Sequence, residues 1–206
     1  KTPDHETTVA TFCHLVNAQK PQRKSIVVTL GATRSSIDDV RFIQNYSSGT
    51  TGFAVANDLY RHGHDVTCVA GITTATQPEW LPLVIRAPEP KQMLAKLKAL
   101  SNDRIEAWIH AAAVLDYVVD SPAEGKIASQ QGGLDVKLVE SEKHIMALKE
   151  SCKDAVRIGF KLESGIKQKD LIYRATAQIE KAGMTAVIAN RLEDLSDKEK
   201  PRGYLV

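Results

Sequence analysis

Apolar residues recur along this chain in two kinds of short burst. Ser25-Ile26-Val27-Val28-Thr29-Leu30 is a β-branched run ending at Gly31, the pattern of a strand buried on both faces of a parallel sheet. Phe53, Ala56, Leu59 and Tyr60 instead fall at helical spacing, with His62-Gly63 as the stop. The alternation then continues, predicting strands over 65–70, 107–111, 134–139, 156–160 and 185–189 and helices over 91–100, 143–152 and 167–182. Ahead of it, Val9, Phe12, Cys13 and Val16 predict an appended helix over 6–19, followed by the polar connector Lys20-Pro21-Gln22-Arg23-Lys24. No internal repeat or low-complexity segment interrupts the pattern.

Strands alternating with helices predict an α/β fold: three layers, a mostly parallel sheet with helices on both faces, Rossmann-like, with right-handed crossovers. The expected division is 1–24 for the helix and connector and 25–206 for one domain. In such sheets ligands bind beyond the carboxyl ends of the strands. The unusual residues gather there: Gly31-Ala32-Thr33-Arg34, Ala111 through Asp116, Phe160-Lys161-Leu162-Glu163 and Asn190.

Composition removes several classes of function. A chain of 206 residues with 43% hydrophobic and 25% charged content has room for one large core. No apolar run approaches the roughly 18 residues that a bilayer span needs, so no membrane partner is expected. With 27 basic against 25 acidic side chains the net charge is +2, too even to predict a nucleic-acid partner. Cys13, Cys68 and Cys152 are odd in number and lie in no metal-type spacing, which reads as reduced thiols of a cytoplasmic protein. His62 and His64 read as helix-end and turn residues, since no third ligand is spaced to complete a metal site.

The strongest chemical candidate is Asn45-Tyr46-Ser47-Ser48-Gly49-Thr50-Thr51-Gly52, directly before the helix at Phe53. Free N–H groups and two glycines at a helix start offer a phosphate a close, positive-ended approach. Ser and Thr are also ordinary helix caps that need no ligand. The loop is neither a Walker loop nor a GxGxxG turn, and residues 34–46 separate it from the first strand.

The motifs, taken in order, resemble the phosphopantothenoylcysteine synthetases. Val28-Thr29-Leu30-Gly31-Ala32-Thr33-Arg34, Ile37-Asp38, Val40-Arg41-Phe42-Ile43, Asn45 and Ser47-Ser48-Gly49 are similar to that family's opening signature. Ala111-Ala112-Ala113-Val114-Leu115-Asp116-Tyr117 resembles its triple-alanine loop and Gly125-Lys126-Ile127 its lysine loop. Gly159-Phe160-Lys161-Leu162-Glu163 and Val187-Ile188-Ala189-Asn190 resemble its last two motifs, so the resemblance spans 25–190.

The resemblance implies a stand-alone ligase of coenzyme A biosynthesis that joins 4′-phosphopantothenate to L-cysteine. The acid is activated as an acyl nucleotidylate from CTP or ATP with Mg²⁺, which requires positioning and charge neutralisation rather than a Ser/His/Asp triad. By the same resemblance Gly31, Ser47, Gly49 and Gly52 contact phosphate and ribose, and Phe160, Lys181 and Asn190 belong to the nucleotide site. Asn45, Ala112, Ala113 and Asp116 hold the pantothenate arm and acyl intermediate. Lys126 steadies the phosphoryl group, Asn45 serves the second step, and Arg41 reaches across a homodimer interface.

Leu30 and Ala32 depart from the family's usual serine and glycine, and Ala177 stands where many relatives carry a base. The chain also ends at Val206, where relatives continue through a terminal helix, so the resemblance implies an incomplete carboxyl end; nothing in it resembles the flavin-dependent decarboxylase often fused upstream. Two rival readings remain at this point: a nucleotide or phosphate sensor without turnover, favoured by Leu30 and Ala32, and a nicotinamide-dependent oxidoreductase, favoured only by the turn after the first strand.

Overall fold

The structure is a computed structural model that describes residues 3–101, 104–129, 132–195, 199 and 201–206. Its centre is the run predicted at 25–30: β1 (Ser25–Leu30), with its last five residues buried. β1 lies between β4 (Asp65–Ala70) and β6 (Ala107–His110) and is parallel to both. Outside β4 lies β5 (Leu83–Arg86); outside β6 lie β9 (Val156–Glu163) and β10 (Ala186–Arg191), then the antiparallel β11 (Tyr204–Leu205). The seven-stranded order β11-β10-β9-β6-β1-β4-β5 reverses direction between β1 and β6, which opens a crevice at their carboxyl ends. The predicted α/β, mostly parallel architecture is the one observed.

Helices follow from the apolar stripes. α2 (Thr50–Arg61) buries Phe53, Ala56 and Tyr60 against Ile26, Val28, Leu30 and Cys68 on one sheet face. α3 (Pro90–Leu100) buries Met93, Leu94 and Leu97 with Val27, Val69 and Trp108 on the other. α5 (Gln168–Ala182) packs Leu171 and Ala175 near Val187 and Ala189 and stops at Gly183 in the left-handed conformation (φ +63°). α1 (His5–Asn17) is tied to α2, where the His14 ring stacks on Tyr60 at 4.0 Å and Asn17 donates to the Arg61 carbonyl.

Four departures from the expected elements have local reasons. β2 (Arg34–Ser36) and β3 (Phe42–Gln44) form a separate ribbon, too short and too polar to show as alternation. The strand expected at 134–139 is observed as β8 (Leu138–Glu140), paired with β7 (Tyr117–Val119) outside the main sheet; Lys137 and Glu140 suit a half-exposed ribbon. The helix expected over 143–152 is a single turn, α4 (His144–Ala147), after which Leu148 and Cys152 reach the core from turns. β5 escaped detection because it is a four-residue edge strand with no buried position.

Two buried polar side chains brace the second half of the sheet. Arg157 on β9 is 1% exposed and has no carboxylate partner among the described residues; its guanidinium donates to the Ala182 carbonyl at the end of α5 and to the Ile145 carbonyl of α4, where helix-end dipoles favour a cation. His110, at the end of β6, has no partner for Nε2 among the described residues. Burial, with Arg157 and His144 nearby, pulls its imidazole down to about 3.

An imidazole that stays neutral when folded but protonates near 6.5 when unfolded contributes stability that is complete above 6.5 and is lost as the pH falls toward 3. At pH 5 the expected loss is on the order of 2 kcal/mol for His110 alone. Urea midpoints measured from pH 7.5 to 5 should therefore fall more steeply for the wild type than for His110→Asn; equal slopes would contradict the buried neutral imidazole.

Candidate active site

The chain leaving β1 is wedged between two other segments. Ala32 pairs with Ile72 on one side and Ala113 on the other, through Ala32 N to Ile72 O (2.9 Å), Ile72 N to Ala32 O (2.7 Å) and Ala113 N to Gly31 O (2.8 Å). Three hydroxyls on this segment accept amides from the crossover after β6. Thr29 takes Ala112 N at 3.2 Å, Thr33 takes Leu115 N at 2.8 Å and Ser35 takes Val119 N at 3.0 Å. Thr29, Thr33 and Ser35 are themselves buried, so the triple-alanine loop is held by bonds that water scarcely reaches.

Over this floor lies the 47–52 turn. Gly49 adopts φ +84° as the residue before α2, a conformation only glycine takes without strain. Gly52 lies directly on Leu30: a Cβ at 52 would stand 2.2 Å from the Leu30 Cβ. Leu30, in the place of the family's serine, therefore supports the turn from beneath. The Thr73 methyl group fills the space beside Gly31 and Gly49, 2.8 Å from a Cβ at either. The Thr51 and Gly52 amides find no acceptor among the described residues, nor does the Ser47 hydroxyl, whereas Ser48 bonds Thr50. Two free N–H groups at a helix start make an anion site. Arg86, at the carboxyl end of β5, donates to the Thr73 hydroxyl at 3.1 Å and has no carboxylate partner among the described residues, adding positive charge beside the turn.

Three of the residues predicted for the substrate, Asn45, Ala112 and Ala113, meet at this crevice. Asn45 Nδ2 donates to Val114 O at 3.0 Å and Ala113 O at 3.4 Å, locking the approach of the turn to the triple-alanine loop. The amides of Ala112 and Ala113 are engaged within the chain, and Ala112 packs against the core. Asp116 is exposed, 3.7 Å from Lys143. Arg41 turns inward in its own chain, onto Asp38 at 2.7 Å and onto the Ile127 carbonyl at 3.2 Å, with about a third of its side chain exposed. Burial alone would raise the Asp38 carboxyl. The amides of Val40, Arg41 and Ile127 and the Arg41 charge outweigh it and hold Asp38 below the usual carboxylate range. Lys126, next to Ile127, is exposed and unpaired among the described residues.

Comparison with known proteins agrees with this geometry. Residues 21–200 match the family model described as the DNA/pantothenate metabolism flavoprotein C-terminal domain. The chain belongs to this family. A coenzyme A biosynthesis bifunctional protein, CoaBC, of Thermococcus kodakarensis is 35% identical over 177 residues, covering 85% of this chain and 43% of that protein. Its counterpart in Methanocaldococcus jannaschii is 33% identical over 176 residues, covering 85% and 42%. The chain thus spans less than half the length of these curated relatives. Among solved structures, the DNA/pantothenate metabolism flavoprotein of Streptococcus pneumoniae superposes with a TM-score of 0.77 at 25% identity, covering 89% of this chain and 92% of that one. The fold is shared by a Cab2 mutant in complex with phosphopantothenate-cysteine, with a TM-score of 0.69 at 21% identity, covering 100% of this chain and 88% of that one.

Two of the family's motifs lie further along the crevice. Phe160, within β9, and Asn190, the penultimate residue of β10, lie on the same sheet face, with Phe160 opposite Ile188 and Asn190 opposite Leu162. β9 is two strands from β1, about 10 Å at ordinary interstrand spacing, a distance a nucleotide spans. The Asn190 amide bonds the Arg202 carbonyl. Lys181 is not brought to this edge. It lies in the last turn of α5, where its carbonyl accepts Lys149 Nζ, beside the amino end of β9 and therefore across the sheet from the turn. A wide groove of about 690 Å³ also opens at that far edge, lined by Lys24, His64, Glu106, Trp108 and Cys152. Its Lys24 and Glu106 neutralise one another at 2.7 Å, and none of the residues that line it starts a helix.

Sequence reasoning passed over Arg86, Thr73 and the role of Asp38. Of these only Asp38 left a local signal: its carboxylate accepts the amide two residues on, the Asx-turn habit of Asp.

Gly52→Ala should destabilise the protein by about 1–3 kcal/mol, the usual cost of overpacking. Leu30→Ala in the same chain should not restore it, because the clash is with the Leu30 Cβ, which alanine keeps. Thermal melts of both variants check this; recovery of the wild-type midpoint in the double variant would place the turn elsewhere.

Proposed function

We propose that this chain is a phosphopantothenate–cysteine ligase of coenzyme A biosynthesis. The observation that carries this reading is the meeting of two loops at the β1/β6 crevice. The free Thr51 and Gly52 amides start α2 on one side, and Asn45 fastens the triple-alanine loop on the other. Family membership over 21–200 and relatives named for coenzyme A biosynthesis support the same assignment.

In the first step the carboxylate of 4′-phosphopantothenate attacks the α-phosphorus of CTP or ATP, and pyrophosphate leaves. The amides of Thr51 and Gly52 and the Lys126 ammonium offset the charge that gathers on the phosphoryl oxygens. In the second step the amine of cysteine attacks the acyl carbon, the amide bond forms and the nucleoside monophosphate departs. Asn45 orients the acyl group without exchanging a proton. Among the described residues no three His, Cys, Asp or Glu side chains converge. Mg²⁺ would come with the triphosphate, whose oxygens supply most of its ligands, and balance their charge. Arg41 keeps two N–H donors beyond those spent on Asp38 and Ile127, enough to reach a second copy's substrate in a homodimer.

Pyrophosphate release should require 4′-phosphopantothenate, Mg²⁺ and one of the two nucleotides, with the condensed product formed only when cysteine is added. Assays with CTP and ATP in parallel identify the base. Lys126→Gln should lower the rate of release on the order of 10²–10³-fold, as expected for a lost oxyanion-type donor. Nucleotide binding without pyrophosphate release would favour a sensor instead.

A further inference from the structure

Packing does not explain where Lys126 sits. A Cβ added at Gly125 would meet nothing within 4 Å, and residues 124–126 are exposed. Hydrogen bonds do: the Asp39 amide reaches the Gly125 carbonyl at 3.5 Å, and those at Ile127 converge on one carboxylate and its partner Arg41. The Asp38 side chain is fully buried. Its Oδ1 accepts the amides of Val40 (2.8 Å) and Arg41 (2.6 Å); its Oδ2 accepts Arg41 Nη1 (2.7 Å) and the amide of Ile127 (3.1 Å). Arg41, fixed by that carboxylate, donates back to the Ile127 carbonyl through Nη1 and Nη2, each at 3.2 Å. Ile127 is therefore held at its N–H by Asp38 and at its C=O by Arg41. Ala123 N to Ile37 O at 2.9 Å fastens the loop's other end to the same segment.

We propose that Asp38 is a positioning residue for the activation step, setting the Gly125-Lys126-Ile127 loop so that the Lys126 ammonium faces the crevice. This rests on the role given to Lys126 above. Both lone-pair sets of Asp38 are occupied by donors, so replacing one oxygen leaves N–H groups unpaired and loosens the Ile127 end of the loop. A displacement of about 1 Å at a charge-stabilising group costs up to about 10²-fold in rate.

The Lys126–Ile127 bond is itself a trypsin site, and its nitrogen is the one Asp38 holds, which gives a reading independent of activity. In Asp38→Asn, tryptic cleavage after Lys126 should rise at least tenfold while cleavage elsewhere keeps its wild-type rate. The kcat for pyrophosphate release should fall about 10–100-fold with little change in the nucleotide KM. Unchanged cleavage after Lys126 overturns the proposal, and so does faster cleavage with wild-type kcat. Should the variant fail to fold, amide hydrogen exchange on the wild-type chain takes its place. Ile127 should exchange more slowly than Lys126 and Ala128, and equal exchange overturns the clamp. A wild type that releases no pyrophosphate overturns the ligase reading instead, and the clamp is then decided by cleavage and exchange alone.

Discussion

Three buried hydroxyls, on Thr29, Thr33 and Ser35, hold the site together. Each accepts an amide from the crossover after β6, so the chain leaving β1 and the chain leaving β6 run side by side past the end of the sheet. The connections leaving the two strands would otherwise part at this point, because the strand order reverses direction there. With the crossover pinned, Asn45 can reach the Val114 carbonyl and the 47–52 turn can settle on Leu30. Every later feature of the crevice depends on that fixed pair of segments.

Charge is arranged around the crevice with the same economy. Positive potential comes from the start of α2, from Arg86 and from Lys126, none of which meets a carboxylate among the described residues. Asp38, tied to the Lys126 loop through Ile127, is buried, its charge absorbed by four donors. A polyanion approaching the carboxyl edge therefore meets unneutralised cations, whereas the groove at the amino edge offers an internally neutralised pair.

Much of this was legible from residue order alone. Buried strands such as 25–30 and 65–70 announce themselves because both faces are covered, and Gly49 and Gly52 mark places where backbone approaches backbone. The ribbons β2–β3 and β7–β8 were hidden because three-residue strands of mixed polarity carry no period. Lys181 was misplaced because its helical spacing from Ala177 says nothing about direction: α5 carries the chain back to the amino edge before β10 starts. Asp38 was visible as part of a motif, but its partner Ile127 lies 89 residues away, and no local pattern announces such a bond.

The central claim is that anionic ligand is held at the carboxyl edge by the turn before α2. Amide chemical shifts of the isotopically labelled chain, followed during titration with CMP and with AMP, test it most directly. The largest changes should fall on Thr51 and Gly52, with Gly31 following. Largest changes at Ile105, Cys152 and Val156, in the groove across the sheet, would contradict it.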